Sequence, residues 1–237
     1  MIINPPMKSY IRFTLRTLLP FVVFPVALAV PSLAGGKKAP PPQPANQYPA
    51  FDTHPQERVS IAIDPCTEPA DCDFFRLPYI RHSLIPVRVI ITNDSDSPLD
   101  LSEVRIQFIS SNRDKYPAAT LDDINRRLFS TKDAAGRKIP IVPLPIPIHH
   151  APIDKKITQD DEDFGFRSTT VTAHSTLAGY LFYDVKDLDD PPLKGAEIYV
   201  KMIHTSGGKE LFAFSIPFQK WLAAQKTGAK TDSKNTP

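Results

Sequence analysis

The feature that most constrains this chain is a period of two. Ile85, Val87, Val89 and Ile91 alternate with Pro86, Arg88, Ile90 and Thr92, and successive side chains of a strand point to opposite faces, whereas helical apolar positions recur at three and four. One face of this strand therefore belongs in a core. Asn93-Asp94-Ser95-Asp96-Ser97-Pro98 then breaks the run in a turn. Val104, Ile106 and Phe108 alternate with Arg105 and Gln107 in the next strand, while the preceding Leu99 and Leu101 have the opposite parity. A slip of one residue would turn one set outward, so a bulge or bend is expected near Ser102 and Glu103. Further strands are expected at 58–63, 168–173, 178–185, 196–203 and 210–217, the last with Phe212, Phe214, Ile216 and Phe218 on one face.

Little helix separates these strands. A short one is expected from Thr120 to Phe129, with Thr120 as its cap, Asp123 three residues on, and Leu121, Ile124 and Leu128 along one side. Phe218, Trp221 and Leu222 predict a second, docked through its first turns. The expected fold is all-β: an immunoglobulin-like antiparallel β-sandwich with one or two short helices, a barrel being the structural alternative.

Proline is the second constraint, with 26 residues against only 9 glycines. Residues 1–34 read as a cleaved signal peptide: Lys8, Arg12 and Arg16 in front, an apolar run from Leu18 to Val30, and Ser32-Leu33-Ala34 before the expected cut at Gly35. That run is too short and too proline-broken, by Pro20 and Pro25, to span a bilayer, which needs about 20 apolar residues. The mature chain is thus not expected to be an integral membrane protein. Residues 35–57, with Pro40, Pro41, Pro42, Pro44, Pro49 and Pro55, read as a disordered Pro-rich tether. The β-domain is then expected over 58–225, and 226–237 as a disordered polar tail.

In Ile139–Ile148 the prolines at 143, 145 and 147 share a parity, so one edge of a strand there has no donors to offer. Val142, Leu144, Ile146 and Ile148 keep their amides and share a face. This reads as an edge strand paired on one side and blocked on the other, with an apolar polyproline docking surface for a partner as the alternative.

The 28 basic and 26 acidic residues give a net charge of +2; the signal takes three basic residues and no acidic ones, leaving 25 against 26. No broad basic face remains for nucleic acid. Cys66 and Cys72, with five residues between them, are expected to form a disulfide in an exported protein; a redox or metal pair would need CxxC spacing or nearby histidines. No GxSxG, P-loop or GxGxxG occurs, and His204-Thr205-Ser206-Gly207-Gly208 reads as a turn rather than a nucleophile beside a base. No catalytic residue and no cofactor are assigned. His149 and His150 read as a solvated loop pair. Asp160, Asp161 and Asp163, and Asp187 and Asp189, are calcium candidates should their loops converge, against the reading as solvated loop faces.

LIPVRVIITNDSDSPLDLSEVRIQFI (84–109) and LAGYLFYDVKDLDDPPLKGAEIYVKMIHTSGGKELFAFSIP (177–217) resemble uncharacterised bacterial secreted proteins with an immunoglobulin-like extracellular domain. The resemblance implies a β-sandwich outside the cytoplasm, periplasmic or extracellular, with no catalytic residues to carry over. The function expected is a non-catalytic, exported binding or envelope-associated interaction module whose partner is a protein or a cell-envelope component. The alternative is a calcium- or carbohydrate-binding accessory domain, in which Tyr79, Tyr116 and Tyr180 stack on sugar; packing in the core or on a sheet is the competing role for these tyrosines.

Overall fold

A computed structural model describes residues 38–129 and 152–232. Along the described chain run β1 (Ala50–His54), β2 (Val59–Pro65), β3 (Leu84–Asn93), β4 (Leu99–Asp100), β5 (Arg105–Ile109), β6 (Lys115–Pro117), α1 (Leu121–Leu128), α2 (Lys155–Phe164), β7 (Thr170–Val171), β8 (Ser175–Asp184), β9 (Glu197–Lys201), β10 (His204–Thr205), β11 (Phe214–Pro217) and α3 (Phe218–Asp232). The strands form three antiparallel sheets, ordered β1–β2–β3–β8, β10–β4–β7 and β11–β9–β5–β6, and they do not close into a barrel. Among the described residues no helix is long and apolar enough to cross a membrane.

The period of two sets the inner faces. Ile61 and Ile63 of β2, Val87 and Val89 of β3 and Tyr183 of β8 meet Phe108, Ile198, Val200, Phe214 and Ile216 from the opposing four-stranded sheet in one core. Phe108 and Phe214 are fully buried, and truncating either to alanine would cost about 3–5 kcal/mol. Leu99, Leu101, Val171 and Ile203 bring the small sheet and its flanks into the same core. The parity change between Leu101 and Val104 is more than a bulge. The chain leaves one sheet after β4 and enters another at β5, so both parities point inward without a slipped register.

α1 forms where its cap predicts. Thr120 accepts from the Asp123 amide, and Asp123 accepts in return from the Thr120 amide. In the 210–217 region only part of the expected face holds: Phe214, Ile216 and Phe218 are buried, but Phe212 is 72% exposed. The ladder with β9 begins only at Phe214, so no strand pairing fixes the parity of Phe212. α3 continues to Asp232, so the polar tail expected from 226 begins within a helix. The predicted signal (residues 1–34), His149 and His150, and the Val142, Leu144, Ile146 and Ile148 edge strand lie outside the described residues.

The largest difference concerns the segment read as a tether. Within 35–57 the chain forms β1, which pairs with β2 from Ala50↔Ile63 to His54↔Val59. Upstream, residues 38–48 cross the outer face of the β1–β2–β3–β8 sheet. Ala45 is fully buried against Ala62 and Ile90, its amide donates to Thr92 Oγ1 at 2.9 Å, and the Pro40 carbonyl accepts from Arg88 Nη2 at 2.6 Å. β3 is consequently buried on both faces. Prolines suit such a strap because it needs no donors of its own along most of its length.

At the seam between the two large sheets, side chains replace a ladder. Asp52 Oδ2 accepts from the Ser215 amide at 3.0 Å, and Glu57 Oε1 accepts from the Phe212 amide at 3.2 Å. Asp52 thus satisfies a donor that the edge strand β11 would otherwise present to another chain, and Glu57 one in the segment just before it. His54, stacked on Phe214 with centroids 3.9 Å apart, bonds the second Glu57 oxygen.

Candidate functional site

Between β2 and β3 the chain makes an excursion over the outer face of the first sheet. Cys66 and Cys72 are joined in a disulfide there, with Cα atoms 6.1 Å apart. A one-turn 3-10 helix, Tyr79–His82, ends the excursion at Ser83, whose φ of +59° lets the chain turn sharply into β3. A left-handed serine is strained by roughly 1 kcal/mol or more, and the Val185 amide bonding the Ser83 carbonyl at 2.9 Å helps hold it.

α2 clamps this loop from the far side. Asp154 caps the helix by accepting from the Lys156 amide, and Ile157 and Asp160, three residues apart, face inward with 1% exposure each. The Asp160 carboxylate accepts from the Arg76 amide, from Arg76 Nη1 at 2.7 Å and from the Tyr79 hydroxyl at 2.8 Å. A buried carboxylate is tolerated when donors of this number replace water. Arg76 Nη2 also reaches Asp163. Its bonds to Asp160 and then Asp163 hold the guanidinium pKa above its usual value. Burial, followed by the charge of Asp160, pushes the Tyr79 hydroxyl pKa far up, so this phenol stays a donor to Asp160.

Around the clamp sits a set of rings. Phe74 and Phe75 lie 5.0 and 5.4 Å from Phe164 and 5.5 and 5.2 Å from Tyr180, centroid to centroid. Edge and tilted contacts of this kind suit the ring quadrupoles. Tyr79 and Tyr180 are thus core residues, 2% and 6% exposed, while Tyr116 is half-buried against the main core. Neither Tyr79 nor Tyr180 offers a free stacking face for sugar, whereas Tyr116 lines the groove beside α1. Next to Tyr180, the Arg88 guanidinium stands 5.8 Å from its ring. Asp64, paired with Arg88 in the ladder, has its carboxyl pKa raised by burial, with partial relief from the Trp221 Nε1 hydrogen bond.

On the outside of the loop is a pocket of about 290 Å³, walled by Cys72, Phe75, Leu77, Tyr79 and Ile80 and rimmed by Arg81. Further recesses lie among the described residues. A groove of about 680 Å³ runs between α1 and the end of β8, where Arg127 Nη2 bonds Asp184 Oδ1 at 2.7 Å and Arg126 pairs with Asp123. A third, of about 530 Å³, lies among the loops near Arg58, Asp96 and Lys209, and there Arg58 and His174 both bond Asp96.

The calcium candidates do not converge. Asp160 faces Arg76 and Tyr79, Asp163 pairs with Arg76, Asp161 lies 3.7 Å from Arg167 Nε, and Asp189 accepts from Ser111 and Asn112. Asp187 is exposed on the following loop. Among the described residues no group of three or more acidic, histidine or cysteine side chains could hold a metal ion. The acidic run of 160–163 belongs to a helix rather than a loop, and helical spacing splits it between an inward and an outward side. Ser206 sits in a turn closed by Gly208 donating to the Thr205 carbonyl. Among the described residues no serine or threonine hydroxyl is bonded to a histidine ring.

The sequence reading missed the Arg76–Asp160–Tyr79 clamp. The one signal for it was Ile157 with Asp160 at a spacing of three after a capping Asp154. Comparison with known protein families, with curated proteins and with solved structures finds no match to this chain.

Proposed function

We propose that this chain is a non-catalytic exported binding module of immunoglobulin-like β-sandwich type, acting in the periplasm or outside the cell on a protein or cell-envelope component. The observation that carries the reading is the pocket of about 290 Å³ on the 66–82 loop. A binding recess works best when it is formed before its ligand arrives, on a loop that a rigid scaffold positions. Here the disulfide, the Asp160 clamp and the ring cluster hold the loop to the sheet. A disulfide also suits an oxidising compartment. The calcium- or carbohydrate-binding alternative has less support, because Asp160, Asp161, Asp163 and Asp189 already face protein donors and Tyr79 and Tyr180 are packed in the core.

The test uses the full chain expressed with its own leader. N-terminal sequencing of the exported form should begin at Gly35. A photo-crosslinker placed at Ile80 should capture one envelope component, and the same group at Lys209 should not. Recovery of the whole chain in the cytoplasm, or equal capture from both positions, overturns the proposal.

A further inference from the structure

We infer that the pocket on the disulfide loop takes a small carboxylate with an apolar body, the carboxylate resting on Arg81. This deepens the binding-module reading and rests on it. The pocket's volume of about 290 Å³ equals about ten waters at roughly 30 Å³ each, so it suits a ligand of about ten non-hydrogen atoms. Its walls decide the body. Phe75, Leu77, Ile80 and the disulfide sulfur of Cys72 present carbon and sulfur, with Pro78 beside them, and such walls favour an apolar group over a sugar or a phosphate.

The rim decides the charge. Three charged residues line the pocket: Arg76, Arg81 and Asp73. Arg76 is committed to Asp160 and Asp163, which stand behind it on α2, and Asp73 is engaged in an interaction of its own. Arg81, in the last turn of the 3-10 helix, is exposed and has no carboxylate partner among the described residues. A guanidinium at the mouth of an apolar recess is suited to a carboxylate, which it can bind through two parallel hydrogen bonds. The other cation in the lining, Arg76, adds no repulsion toward such a ligand.

The probe is 3-phenylpropionate, with 3-phenylpropanamide and 3-phenylpropylamine as the neutral and cationic counterparts. Titration into the mature chain, followed by amide chemical shifts, should give saturable changes at Phe75, Leu77 and Ile80. The amide should bind at least tenfold more weakly and the amine not at all. Arg81→Gln, an exposed change that leaves the clamp intact, should weaken the acid about tenfold and leave the amide unchanged. No saturable change with the acid, an amide within threefold of it, or a preference for the amine each overturns the inference. The crosslinking outcome at Ile80 is separate: capture of an envelope component without binding of the acid removes the ligand class and leaves the module.

Discussion

Arg76 Nη1 and the Asp160 carboxylate meet at 2.7 Å across 84 residues of sequence, tying the disulfide loop to α2. Removing the carboxylate leaves Arg76 Nη1, the Arg76 amide and the buried Tyr79 phenol without their acceptor, while Arg76 Nη2 keeps Asp163. Asp160→Ala is expected to cost about 1–3 kcal/mol, the range for leaving a buried donor such as the Tyr79 hydroxyl unsatisfied. Tyr79→Phe removes one bond to a charged group and should cost about 1.5 kcal/mol. Urea midpoints measure both, and a double-mutant cycle should show the two are not additive. Equal stability of Asp160→Ala and the parent would remove the clamp from the account.

The strap makes its own prediction. Ala45 has no exposed surface, so Ala45→Leu must overpack the outer sheet face and should cost about 1–3 kcal/mol. Thr92→Val takes the acceptor from the Ala45 amide and should cost about 1–2 kcal/mol. A shortened chain starting at Pro49 should bind a hydrophobic dye that the intact chain does not. If residues 38–48 are only a spacer, all three changes will be silent.

Gly179 of β8 has no room for a methyl group. A Cβ there would come within 2.5 Å of the Phe166 Cα, where the Phe166 amide bonds the Tyr180 carbonyl at 3.1 Å. Gly179→Ala should destabilise by about 1–3 kcal/mol. Hydrogen exchange at Phe166 should accelerate more than exchange at Val89, on the neighbouring strand. Uniform acceleration at the two sites would mean that the close approach is not the cause.

Three buried phenols set an alkaline limit. Burial pushes the Tyr180 hydroxyl up to about 12, and burial drives those of Tyr79 and Tyr183 further in the same direction. A tyrosine raised above its unfolded value of about 10 contributes stability that is complete below pH 10 and is lost as the pH climbs through the folded value. The fold should therefore weaken from about pH 10 to about pH 12. Ultraviolet titration at high pH should show these three phenolates appearing together with loss of the fluorescence of the single tryptophan, Trp221. Ionisation of Tyr79, Tyr180 and Tyr183 together with the exposed tyrosines, well before that loss, would contradict the burial.

Some of this architecture is written locally. Val87 and Val89 face the core because a strand alternates, and α1 starts at Thr120 because a hydroxyl and a carboxylate three residues apart satisfy the free amides of a first turn. The Cys66–Cys72 pairing is the single bridge that two cysteines allow. Pro86, Arg88, Ile90 and Thr92 show the other side. Their mixture of polar and apolar groups reads as a solvent face, yet Arg88 is 5% and Ile90 0% exposed.

The chain alone determined which parity of each strand points inward, because alternation is a property of consecutive residues. Whether the opposite parity meets water depends on a segment far away in sequence, and that was decided only in three dimensions. The strap contributes the Pro40 carbonyl, the Ala45 amide and the side chains of Ala45 and Tyr48 to that cover, and α2 contributes Ile157. Contacts so few leave no period in the sequence, so neither the covered outer face nor the pocket beside it could be read before the chain was folded.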